Sequence, residues 1–449
     1  MNLDLLLKNG IVALPDPAQP YGITLQKTDI GVAQGRIAAI GDLKGQDAVE
    51  VIDAAGLHLL PGIIDSQVHF REPGLEHKED LETGTRAALL GGVTTIFEMP
   101  NTNPSTTTGA ALLDKLSRAK NRAHCHYGFF IGASPENIHQ LRELERLPGC
   151  VGVKVFMGSS TGSLLVEKDE DLEKILSQGS RRVAIHSEDE MRLRERKPLA
   201  EQALSAEFHP EWRDELTSIL ATQRLLRLAQ KTKRAIHVLH ITTAQEIQLL
   251  REAKEQGLDC TVECTPQHLT LAAPDCYQRL GTLAQMNPPI REEKHRLGLW
   301  QGVQSGVVDV IGSDHAPHTL TEKQKKYPQS PSGMPGVQTL LPLMLDHVHR
   351  GQLSLNQLVR MACVMPAKIY SLKNKGMIQI GFDADLTVVD LKRKMTIEQS
   401  WLASRCGWSP FTGQEVTGWP VGSFLLGKKA MWEGEILLPN QGQACEFSS

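Results

Sequence analysis

The chain has 449 residues, 41% hydrophobic and 22% charged, the proportions of a soluble globular protein with room for one large domain and a smaller one. Its formal net charge of −4 and pI near 6.5 exclude a general nucleic-acid binder, which carries a basic surplus. No apolar run approaches the ~18 residues of a membrane span, Met1-Asn2-Leu3-Asp4 opens no secretory signal, and eight scattered cysteines suit reduced thiols, so the expected location is cytoplasmic.

In chain order, residues 1–56 are expected to be β-rich, with strands at 4–12, 28–32 and 36–41 punctuated by Gly and Asn. The C-terminal stretch 376–440 has the same texture, at 385–390, 421–426 and 430–436. Two β-rich ends around a different middle predict one small β-sandwich domain built from both termini. Residues 441–449 read as a loose tail.

The middle, 57–375, alternates apolar, β-branched runs with helical stretches. Strands are expected at 57–64, 92–99, 126–131, 151–157, 182–185, 235–239, 259–264 and 307–311. Helices are expected at 79–90, 110–119, 169–176, 215–229, 244–256 and 294–305. Eight strands and no Gly-rich dinucleotide fingerprint predict a closed (β/α)8 TIM-type barrel, an α/β fold. Cys260 and Cys264 lie within one such run and read as buried thiols rather than a zinc clip.

Such barrels gather functional residues just past their strands. The first strand ends in Gln67, His69 and Arg71, with Glu72-Pro73-Gly74 turning the chain. Asp65, Gln67 and His69 share a face, because strand side chains alternate. The second strand ends in Met99-Pro100-Asn101-Thr102-Asn103-Pro104, the fifth in His186, the sixth in His240, and the eighth in Asp314 and His318; the fourth carries Lys154 in an otherwise apolar run. A single histidine at a strand end is usually structural. Three, with a carboxylate and a buried lysine on separate strands, point to metal-assisted hydrolysis. Neutral imidazoles and a carboxylate suit zinc, which lowers the pKa of bound water toward ~7 and polarises a carbonyl. Lys154 must pair, with Glu98 or Asp65, or lose its proton, or be modified to a carbamate.

These motifs resemble the amidohydrolase superfamily and, within its cyclic-amidohydrolase branch, the dihydroorotases. The resemblance runs from Asp4-Leu5-Leu6-Leu7-Lys8-Asn9-Gly10 to Gly418-Trp419-Pro420 and rests on Phe70-Arg71-Glu72-Pro73-Gly74, Met99 to Pro104, and Ser313-Asp314-His315-Ala316-Pro317-His318. It implies reversible cyclisation of N-carbamoyl-L-aspartate to L-dihydroorotate in pyrimidine synthesis. It implies that His69, carboxylated Lys154, His186, His240 and Asp314 bind metal, that Asp314 also shuttles a proton, and that Arg71, Asn101 and His318 hold the substrate carboxylate. The implied cofactor is Zn2+, one or two per chain, bridged by Lys154 if two. A small-molecule substrate, a homodimer and no nucleic acid or membrane are expected, and association with aspartate transcarbamoylase stays open.

One position departs from the pattern. The family usually has His-x-His on the first strand, and here Gln67 stands first; an amide oxygen is a weaker zinc ligand than imidazole, so Gln67 is a doubtful ligand. Gln267-His268 after the seventh strand has no assigned part. The Gly- and Pro-rich segment 331–337 is placed near the substrate by the resemblance. Two other readings accompany the dihydroorotase one: a related enzyme of hydantoinase, dihydropyrimidinase or allantoinase type, and a non-catalytic partner of aspartate transcarbamoylase.

Overall fold

Gly62 divides two sheets in the computed structural model, which describes residues 2–159 and 164–448. A Cβ there would lie 2.1 Å from Thr94 Oγ1, so only glycine lets the chain pass. The apolar run 57–64, expected as one barrel strand, is therefore two. His58–Pro61 joins the sheet made by the termini, and Ile63–Val68 opens the barrel.

Seven further strands follow in parallel, each beside the last: Val93–Glu98, His126–Gly132, Cys150–Phe156, Val183–His186, Ile236–Val238, Cys260–Cys264 and Val310–Ile311. The ring is completed by a parallel bridge between Val68 and His315, where His69 N–H donates to His315 O at 2.7 Å. These strands are buried throughout, which explains runs that are continuously apolar rather than alternating. Helices cover the outside at Leu81–Leu90, Gly109–Ala119, Asp169–Leu176, Glu215–Thr232, Ala244–Glu255 and Glu293–Gln304, close to the expected bounds. Local chemistry sets their starts: Asp80 and Thr83 form one capping box, Thr243 and Glu246 another.

The second sheet has nine strands from both ends of the chain. His58–Pro61 lies at its middle, antiparallel to Leu386–Thr396 and parallel to Leu3–Pro15. Leu5, Val12 and Ile30 of the N-terminal part meet Leu386, Val388 and Phe424 of the C-terminal part in one core. The strand Ala48–Asp53, unforeseen in the sequence, pairs with Leu3–Pro15. The expected strand 430–436 is two, Lys428–Trp432 and Glu435–Ile436, because Glu433 and Gly434 turn the chain at positive φ.

The final residues do not hang loose as expected. Tyr127 N–H donates to Gln443 O, Cys445 N–H to Tyr127 O, and the Phe447 ring lies 5.7 Å from that of Phe97 at the foot of the barrel. An apolar Cys445 and an aromatic Phe447 in a polar stretch give this segment something to bury. All eight cysteines are buried and unpaired, Cys260 and Cys264 included. Among the described residues, no helix is long and apolar enough to cross a membrane.

Candidate active site

The C-terminal ends of the barrel strands surround a pocket. Gln67, His69 and Arg71 reach it from the first strand, Asn101 from the second, His186 and His240 from the fifth and sixth, and Asp314 from the eighth. Gly74 brings the first two strand ends together: at φ 93°, a Cβ on it would lie 1.9 Å from Asn103 O. Arg71, His240 and Asp314 adopt φ values of 67°, 36° and 45°. Three non-glycine residues in the left-handed region thus gather backbone strain at one pocket.

The histidines are oriented from behind. His186 Nε2 faces Glu188 Oε2 at 2.8 Å, and a carboxylate only accepts, so the imidazole proton sits on Nε2 and the Nδ1 lone pair is left facing His240 Nε2 at 3.1 Å. Burial alone would raise the Glu188 carboxyl, but Arg213, whose Nε donates to Glu188 Oε1 at 3.0 Å, and His186 hold it well below the usual range. His69 Nδ1 donates to Asn101 Oδ1 at 2.6 Å, leaving Nε2 facing Asp314 Oδ1 at 3.1 Å. Burial pushes all three imidazoles below their ordinary pKa, toward the neutral form a metal needs.

Lys154 lies beneath, fully buried, and its Nζ has no hydrogen-bond partner among the described residues. The ion pairs considered for it do not form: Glu98 is taken by Lys115, and Asp65 Oδ1 accepts from Ser313 N–H and Gln67 N–H. Burial pulls the lysine down to about 7, against the attraction of Asp314 and Glu263. Asp65 and Glu263, deeper still, are pushed up by burial to about 7 and about 8.

Gln67 meets this centre through its amide. Its Nε2 donates to Asp314 Oδ1 at 2.9 Å, and its Oε1 has no hydrogen-bond partner among the described residues. Among the described residues no three His, Cys, Asp or Glu side chains form a ready-made metal cluster. The donors stand as two pairs, His69 with Asp314 and His186 with His240. Neither pair has a third His, Cys, Asp or Glu placed to hold a metal with it among the described residues. The orphaned amine of Lys154 is the group that, as a carbamate, would supply oxygens to both, so the residues present fit a metal ion.

At the other end of the pocket Arg71 is buried, and burial pulls its guanidinium down to about 10. Its Nε donates to Pro317 O at 3.1 Å, its Nη2 lies 3.4 Å from His318 Nε2, and its Nη1 has no hydrogen-bond partner among the described residues. His318 packs against Arg71 and Ser332, with Nε2 3.0 Å from Ser332 O.

Several residues were not read from the sequence. Asn287 lines the pocket; its Asn-Pro-Pro context was the available signal. Glu188 follows His186 by two positions, but its partner Arg213 is distant in sequence and gave none. Segment 331–337 does reach the pocket, through Ser332 and Gly333. Gln267 donates to Ser313 O at 2.8 Å and His268 contacts Pro288 O at 3.1 Å, so this pair ties the rim together.

The fold and this constellation are those of a metal-assisted hydrolase. The amidohydrolase family model matches residues 58–430, and the chain belongs to that family, whose members are generally metal-dependent. The dihydroorotase of Methanosarcina acetivorans is 35% identical over 441 residues, covering 95% of this chain and 94% of that protein. The L-hydantoinase of Paenarthrobacter aurescens is 31% identical over 457 residues, covering 97% and 96%. Among solved structures, the L-hydantoinase (dihydropyrimidinase) from Arthrobacter aurescens superposes with a TM-score of 0.92 at 30% identity over 99% of both chains.

Proposed function

We propose that the protein is a dihydroorotase, hydrolysing the ring amide of L-dihydroorotate to N-carbamoyl-L-aspartate and running the reverse cyclisation in pyrimidine synthesis. The observation that carries this reading is Arg71. A buried guanidinium with Nη1 unpaired is costly unless a ligand pairs with it, and a carboxylate accepts two parallel N–H bonds. Hydantoins, dihydropyrimidines and allantoin lack that carboxylate and would leave Nη1 unmatched. Gln67 alone favours a non-catalytic partner of aspartate transcarbamoylase; against it, Lys154, His186, His240 and Asp314 are all present.

His69 with Asp314, and His186 with His240, would hold metal, with Lys154 as a carbamate contributing to both; bound zinc polarises the ring carbonyl and eases deprotonation of water. Burial favours the neutral amine of Lys154, the form that attacks carbon dioxide, releasing one proton as the carbamate forms. Arg71 and Asn101 orient the substrate by its carboxylate. In ring opening, Asp314 takes a proton from the attacking water as its oxygen adds to the carbonyl carbon, the C–N bond breaks, and Asp314 passes that proton to the leaving nitrogen. In cyclisation Asp314 takes that proton from the attacking nitrogen.

Purified protein supplied with zinc and bicarbonate is expected to open dihydroorotate. Turnover of dihydrouracil or hydantoin without turnover of dihydroorotate would overturn the reading.

Because Gln67 stands where the family usually has histidine, the His69 side is one imidazole short, and Gln67 Nε2 donates to Asp314 instead. Exhaustive dialysis is expected to leave less than a second full equivalent of zinc, with activity rising when metal is restored. Gln67→His is expected to increase the retained zinc. Two firmly held equivalents in the unmodified protein would show that the glutamine is no handicap.

A further inference from the structure

Lys323 is a buried cation that the reaction leaves unused. It ends the short helix Leu320–Lys323 and is completely inaccessible to solvent. Its Nζ donates to three main-chain carbonyls, Gln285 O at 3.0 Å, Pro331 O at 2.9 Å and Gly333 O at 2.9 Å. Three acceptors consume all three N–H groups of an ammonium, so the protonated form alone satisfies them. Burial pulls this ammonium down to about 7, and no charged side chain contributes to the shift.

Two of these carbonyls belong to the segment whose Ser332 and Gly333 line the pocket. The carbonyl between them, Ser332 O, faces His318 Nε2, and His318 Nδ1 faces Lys78 Nζ at 3.1 Å. Lysine only donates, so Nδ1 must accept, and the imidazole proton sits on Nε2, facing Ser332 O. Three consecutive carbonyl oxygens, of Pro331, Ser332 and Gly333, are thus engaged by donors. A carbonyl oxygen turned toward the pocket would repel an anionic substrate; these are held elsewhere, and a positive charge stands behind them.

Resting on the dihydroorotase reading, we propose that Lys323 is a specificity-determining positioning residue: it fixes the 331–333 wall and makes that side of the pocket electropositive for the substrate carboxylate. A purely structural role would need only a group that fills the space and satisfies the carbonyls. Burying a lone cation for that purpose is expensive. Its charge acts on the bound anion through a desolvated wall, where Coulomb interactions weaken little.

The test compares the full-length protein with Lys323→Gln and Lys323→Met, first confirming that the unmodified protein turns over dihydroorotate; failure at that step falls on the functional reading and not on Lys323. Both substitutions are expected to raise KM for dihydroorotate and the inhibition constant of orotate by about tenfold, the scale for removing one charge near a desolvated anion. kcat is expected to stay within about threefold, because KM without kcat reports binding shared by ground and transition states. Inhibition by uracil, the same ring without a carboxylate, is expected not to change. Glutamine keeps two donors and similar length, so it decides the matter if the methionine variant does not fold. An unchanged KM in folded Lys323→Gln, or equal weakening of orotate and uracil, would overturn the proposal.

Discussion

Replacing Asp314 with asparagine is expected to lower ring opening about a thousandfold, within the range general acid–base groups contribute. The substitution keeps the size of the side chain and removes its ability to carry a proton. The loss should exceed what disturbed orientation alone produces, because Asp314 Oδ1 faces both Gln67 Nε2, at 2.9 Å, and His69 Nε2, at 3.1 Å. Gln67 can continue to donate if the new amide presents its oxygen, so the local frame survives. Bound metal must be measured alongside turnover, since Asp314 is also a proposed ligand. The informative comparison is at metal concentrations that restore full occupancy. Activity within tenfold of the unmodified protein under that condition would remove Asp314 from the proton path and leave it only a ligand.

Arg71→Met is expected to cost about 30-fold or more in kcat/KM for dihydroorotate, the scale for truncating one partner of a buried charge-assisted pair. Methionine fills similar volume without donors, so the packing around Pro317 and His318 is largely kept. Metal content is expected to stay unchanged, because the guanidinium contacts Pro317 O and His318 and none of the proposed ligands except through space. Discrimination is the sharper readout. A substrate without a carboxylate never used Arg71, so any slow turnover of dihydrouracil should be preserved or raised. Near-normal activity on dihydroorotate in Arg71→Met would mean that the substrate lies in the pocket another way round.

The barrel and most of the polar side chains that meet in its pocket were legible from the chain alone for a local reason. A strand buried on both faces is a short apolar run, and a polar residue ending it stands at the barrel rim whatever the rest of the fold does. His69, Arg71, His186, His240 and Asp314 announce themselves by that position. Lys154 does so by contrast with its apolar neighbours. Helix bounds followed equally local signals, as at Thr243 and Glu246.

What the tertiary structure decided is how buried polar atoms are paired, because those pairs join residues far apart in sequence. Glu98 could have paired with Lys154, but Lys115 from the following helix takes it, and the Lys154 amine is left alone. Gln67 reads as a poor ligand in sequence and becomes a donor once Asp314, 247 positions away, is brought beside it. The break at Gly62 depends on Thr94 of the next strand, and the docking of the last residues depends on Tyr127 and Phe97. Residue type and strand position were thus set by the sequence locally; the partner of each buried donor and acceptor was chosen by closure of the barrel, since burial makes an unpaired polar atom costly and only the folded chain brings its partner within reach.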